Sequence, residues 1–211
     1  CFHDDSTFPA RLLRPSAFSS AIYLVEYANN AEKLVGLIRI TAETLSGIPS
    51  IVYGLFGMLF LRNPEMGYSM MSGACTLAIM ILPLIMRTAE EALKSVPDSY
   101  REASFGLGAG KLRTIFKIVL PSAVPGILSG VILATGRVVG ETAALIYTAG
   151  TVAQVPKNVL GSGRTLAIHM YMLSSEGLYM NQAYATAVIL LVLVVAINTL
   201  SGVVAKKLTK A

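Results

Sequence analysis

The sequence has no tryptophan, only two cysteines and two histidines, and few charges: Asp, Glu, Lys and Arg make up 14% of its 211 residues. A soluble domain carries about 25% charged residues, so the deficit excludes an ordinary water-covered surface. Two cysteines exclude a disulfide-built scaffold, and Cys75 sits in an apolar run as a small apolar residue. His3 and His169 have no cysteine or carboxylate at ligand spacing, so no metal-binding pattern is visible. There is also no nucleophile beside a base at a usable spacing, and no catalytic residue is assigned.

What the chain does have is apolar length. Residues 44–61, 69–86, 118–136 and 177–205 are free of charge. Each approaches or exceeds the ~18–20 residues that cross a bilayer core. The expected fold is therefore all-α and polytopic, with spans at about 38–61, 69–87, 122–147 and 181–205. Pro49 is expected to kink the first. Residues 1–16 read as a divergent or disordered leader, and 209–211 as a tail.

The net charge of +5 follows this topology and is no sign of nucleic-acid binding. Arg87, Lys94, Arg101, Lys111, Arg113 and Lys117 lie between the second and third runs, and Lys206, Lys207 and Lys210 follow the fourth. Cytoplasmic loops collect Lys and Arg, which places the loop at 88–121 and the C-terminus inside. Four spans then put Lys33 and Arg39 inside as well.

Within that loop, Gly106-Leu-Gly-Ala-Gly-Lys111 looks like a phosphate-binding loop but fails the pattern. A Walker A loop requires glycine where Phe105 stands and a hydroxyl where Leu112 stands. The GxGxxG dinucleotide pattern fails too, with Lys111 in the place of its third glycine. Pro97 and Asp98 instead open a helix, with Ser95 as the expected cap. That helix is expected to run to about Leu107 and break at Gly108. A second short helix over 111–119 is expected to stop before Pro121. Ahead of the loop, Glu90 and Lys94 stand four apart, a favourable pair on one helix face.

The same loop resembles the signature of ABC-importer permease subunits. Glu102-Ala103-Ser104 is followed at the family's spacing by Gly108, then Ile118, then Leu120-Pro121, with only Ser104 replacing the usual alanine. The stretches at 43–57, 82–111 and 136–150 resemble the A-type permease of the phosphate-specific transporter. The resemblance covers about residues 17–208. It implies the type I importer permease fold, a coupling helix docked on a cytoplasmic ABC ATPase dimer, a second homologous permease subunit, and an extracytoplasmic phosphate-binding protein. ATP and Mg would be bound by the ATPase, leaving no cofactor in this chain, and the expected home is a bacterial or archaeal plasma membrane. Such permeases normally have six spans, so the chain is expected to lack the N-terminal ones.

Three charged side chains in or near the spans invite a functional reading. A central Arg costs about 2.5–3.5 kcal/mol to insert, so Arg137 is expected to face a polar pathway or a partner. Glu141, four residues on, is expected on the same helix face and close enough to neutralise it. Either the pair satisfies itself in a helix interface, or both groups line an anion route. In the second case the guanidinium fork suits phosphate oxygens, and the carboxylate accepts the proton that phosphate retains and sulfate lacks. Arg87, at the inner end of the second span, is either an exit residue of that route or a snorkelling arginine paired with Glu90 or Glu91. A permease for another oxyanion or small solute, or a passive anion channel, remains the alternative.

Overall fold

The computed structural model describes residues 19–27, 33–61 and 67–210. The expected leader and the last residue lie outside these. Among the described residues the regular structure is all helical, with no strand. The helices used below are α1 (Lys33–Gly47), α2 (Ser50–Phe60), α3 (Met70–Lys94), α4 (Asp98–Gly106), α5 (Lys111–Val139), α6 (Ala143–Thr148), α7 (Leu166–Glu176) and α8 (Met180–Lys210). Ahead of α1 stands a π-helical turn, Tyr23–Tyr27.

Helices α3, α5 and α8 are each long and apolar enough to cross a membrane, and α1 with α2 makes a fourth candidate only as a broken pair. Pro49 does more than kink this pair. Its ψ of 140° leaves the helical region, and the two axes meet at 101°. Proline removes the N–H that Leu45 O would have accepted. The Tyr53 hydroxyl donates to that carbonyl instead, at 2.8 Å.

Two further positions, Ser95 and Pro121, depart from expectation. Ser95 caps the C-terminus of α3, and α4 starts from Pro97 without a side-chain cap. Pro121 does not end the second arm of the loop. The turn at Ile115–Val119 widens into a π-helix, with Leu120 N–H donating to Ile115 O. An extra residue in the turn gives the proline ring room, and α5 runs on unbroken to Val139.

The helices meet where side chains are small. A Cβ on Gly54 would lie 2.9 Å from the Ala144 backbone, one on Gly126 2.8 Å from Ala92 Cβ, and one on Gly130 against Thr88. A Cβ on Gly57 would strike both Thr76 and Thr148. α2 thus sits on α6, and α3 on α5. A core at the end of the bundle nearest the 95–119 loop, termed the inner end for its position beside that loop, gathers Leu24, Met86, Leu93 and Val119. An outer one gathers Tyr53, Leu77, Met80, Leu145 and Ile168. The segment at 150–165 folds over the start of α3, whose first amides donate to Thr148, Val159 and Gly161 carbonyls. Those are N–H groups that no helix can satisfy internally. Most of α8 is unburied and apolar, as on Leu191 and Val195.

Two outcomes test this packing. Gly54→Leu meets backbone that cannot yield, and it lowers stability by about 1–3 kcal/mol in thermal unfolding in detergent. Gly202→Ala, which meets nothing, does not lower it. His169, on α7, is held below the ordinary histidine range, first by burial and then by the Arg164 charge. The unfolded chain then takes up the proton first, so stability falls as pH drops below about 6.5. That slope is reduced in His169→Phe.

Candidate functional site

The loop between α3 and α5 folds as two short arms around a glycine. Gly108 has φ of +82°, a left-handed conformation that costs other residues strain. Its N–H donates to Phe105 O at 2.9 Å, and that of Ala109 to Ser104 O at 3.1 Å. Ser104 is buried, and its hydroxyl meets that of Thr114 at 2.8 Å across the bend. The one departure from the loop signature therefore adds a hydrogen bond joining the two arms. Glu102, Ala103 and Pro121 are exposed, Ile118 is half-buried, and Leu120 is half-buried against the inner core.

The outer surface of this bend is apolar. Leu107 is 89% exposed, with Tyr100, Phe105, Leu112 and Phe116 also open. A Cβ on Gly106, Gly108 or Gly110 would meet nothing within 4 Å. Packing inside the chain therefore does not demand these glycines, apart from the left-handed turn at Gly108. An exposed apolar patch beside basic residues, outside the apolar spans, has the character of a protein-docking face.

Arg137 lies near the outer end of α5. It is exposed, and no hydrogen bond or ion pair holds it among the described residues. It lines a cleft of about 650 Å³ with Leu84 of α3, with Ser129, Ile132, Leu133 and Gly136 of α5, and with Val194 and Asn198 of α8. Asn198 packs directly on Gly136, where a Cβ would lie 3.3 Å from its Oδ1. Among the described residues the guanidinium is the one charged group on that wall.

Glu141 does not neutralise it. The helix stops at Val139, with Gly140 as its cap, so the expected i,i+4 geometry is lost. Glu141 is 9% exposed, and its Oε1 accepts from Ala144 N at 3.2 Å, holding the first turn of α6. The span expected over 122–147 is thus two helices with this carboxylate at their junction.

Arg87 is half-exposed and paired. Its Nε lies 3.0 Å from Glu91 Oε1, and its Nη1 4.0 Å from Glu43. Glu90, the other expected partner, is held instead by Arg39 Nε at 2.8 Å and Lys94 Nζ at 2.7 Å. The α3–α5 contact register puts Arg87 about six residues, or roughly 9 Å along the axis, inward of Arg137. The structure brings the loop residues together at one end and leaves Arg137 and Glu141 in separate surroundings toward the other.

The side chain that sequence reasoning missed is Arg101. It counted there only as a topological charge, yet it is 14% exposed and bonded to Glu26, Leu93 O, Val96 O and Asp98. Asp98, three residues earlier, was the local signal. Glu26, 75 residues away, left none.

Comparison with known proteins places this architecture. A protein of Bacillus subtilis named probable ABC transporter permease protein YqgI is 37% identical over 178 residues, covering 78% of this chain and 60% of that one. Phosphate transport system permease protein PstA 1 of Mycobacterium tuberculosis is 34% identical over 199 residues, covering 92% and 65%. The chain thus spans about 60–65% of the length of these curated relatives. An inward-facing structure of the MetNI methionine ABC transporter shares the fold at a TM-score of 0.71 and 18% identity, over 96% of this chain and 94% of that one. The family described as binding-protein-dependent transport system inner membrane component matches residues 20–210. With its polytopic helical fold and its signature loop, the chain belongs to that family of ABC-importer membrane subunits.

Proposed function

We propose that the chain is a permease subunit of an ATP-driven phosphate importer, acting with a second homologous permease, a cytoplasmic ABC ATPase dimer and an extracytoplasmic phosphate-binding protein. The observation that carries this reading is Arg137: an unpaired guanidinium on an otherwise uncharged cleft wall between spans. Such a charge at the level of the spans is costly unless it faces a polar pathway or a partner, and its planar fork of donors matches a phosphate's oxygens. The curated relatives named as phosphate permeases support the same substrate.

Glu141, at the break that follows, supplies selectivity in this reading. One carboxylate oxygen is committed to Ala144 N–H. The other is available to accept the proton of hydrogen phosphate and repels an anion that carries none. Arg87, inward of Arg137 and held by carboxylates, marks the release end. Pairing lowers its hold on a passing anion.

The apolar bend around Gly108 is the seat for the ATPase. ATP and magnesium belong to that partner, and this chain binds neither. Closure of the ATPase pushes the paired loops together, and the spans reorient around the anion route. This places 88–121 and the C-terminal lysines on the cytoplasmic face of a bacterial or archaeal plasma membrane. A passive channel has no use for such a seat.

Three variants in the assembled transporter test these assignments. Arg137→Gln lowers radiolabelled phosphate uptake at least tenfold while the ATPase still co-purifies. Uptake at the unmodified level removes Arg137 from the route. Glu141→Gln narrows the preference for phosphate over sulfate in competition assays, and an unchanged preference assigns Glu141 a purely structural role. Gly108→Val, forced into a left-handed conformation, loses the co-purifying ATPase. Retention of the ATPase would place its seat elsewhere.

A further inference from the structure

Among the described residues the turn Tyr23–Tyr27 precedes the spans, yet it grips both arms of the loop. Glu26 Oε1 accepts from Arg101 Nη2 at 2.9 Å and from Nε at 3.2 Å. The adjacent Tyr27 holds its ring 4.6 Å from Lys111 Nζ, at the first residue of α5. The turn is itself anchored, because Leu24 is 2% exposed within the inner core, and its carbonyl accepts from Arg39 at 3.3 Å.

Arg101 completes the connection. Its Nη1 donates to Val96 O at 2.8 Å and Asp98 Oδ1 at 3.0 Å, and its Nη2 also donates to Leu93 O at 3.1 Å. All five guanidinium N–H groups are therefore engaged, on the N-terminal turn, the last turn of α3, the connecting residues and α4. The pair is well shielded, with side-chain exposures of 14% for Arg101 and 9% for Glu26.

Between α3 and α4 lie only residues 95–97. Without a strut across it, such a connection would flex under a push on α4. We propose that Glu26 and Arg101 form that strut, making the N-terminal turn a brace that fixes the coupling helix to α3. A displacement of the loop then becomes a displacement of α3, whose Leu84 lines the cleft opposite Arg137. Arg101 is a positioning residue: it touches neither the anion nor the ATPase face. The inference rests on the importer reading.

Reconstitution of the full complex in liposomes tests it, by measuring radiolabelled inorganic phosphate imported per ATP hydrolysed. Lysine offers three donors on a single nitrogen and cannot span these acceptors. Arg101→Lys and Glu26→Gln are expected to keep the ATPase bound and hydrolysing, while phosphate imported per ATP falls at least fivefold. The double variant falls no further than Arg101→Lys alone, because both changes cut one connection. An unchanged ratio in Arg101→Lys overturns the brace, as do losses that multiply in the double variant. Detachment of the ATPase in both single variants also overturns it, since the pair would then only shape the seat. Unmodified complex that imports phosphate without hydrolysing ATP overturns the importer reading, and the brace with it.

Discussion

Two helices in a bilayer gain little from trading a lipid neighbour for a leucine, so their association rests on close approach. Here that approach occurs at glycines. Gly54 brings α2 against the backbone of α6, and Gly126 and Gly130 bring α5 against Ala92 and Thr88 of α3. These contacts set the register between α3 and α5, and the register decides which side chains share a level. Arg137 faces Leu84 across the cleft because Gly130 sits on Thr88 lower down. The position of the charge is therefore inherited from residues that carry none.

The inner end adds a second means to this one. Glu90 is buried between Arg39 and Lys94, Arg87 lies between Glu91 and Glu43, and Arg101 between Glu26 and Asp98. A carboxylate with two cations is costly to break, because removing one partner leaves charge uncompensated. The bundle thus has an outer half held by shape and an inner half in which charge is added to shape. Only the inner half is tied to the bend at Gly108. Family membership accounts for the presence of a signature loop in this chain. The ion pairs account for its firm attachment to the rest.

Much of this was legible in the sequence. Charge-free runs identify the helices because lipid tolerates little else, and the Gly108 break was readable because a left-handed residue needs glycine. The Glu90–Lys94 pair follows from helical spacing alone. Failures came where a local rule met a non-local remedy. Pro121 predicts a helix end, but one widened turn absorbs it. Arg137 and Glu141 predict a helical pair, but Gly140 ends the helix between them. Pro49 predicts a kink, and the size of the bend was unreadable because it depends on what α1 and α2 each rest against. Arg101 was unreadable for the same reason, with its main partner, Glu26, 75 residues away.

The widened turn at Ile115–Val119 has a bearing on how such chains diverge. It holds one residue more than an ordinary helical turn would. A sequence lacking that residue would still form a continuous helix, but everything beyond would be rotated by about 100°. Arg137 would then turn away from Leu84 and Asn198. Single-residue insertions and deletions on either side of this turn are therefore far from equivalent to substitutions: each one re-aims the entire outer half of the span.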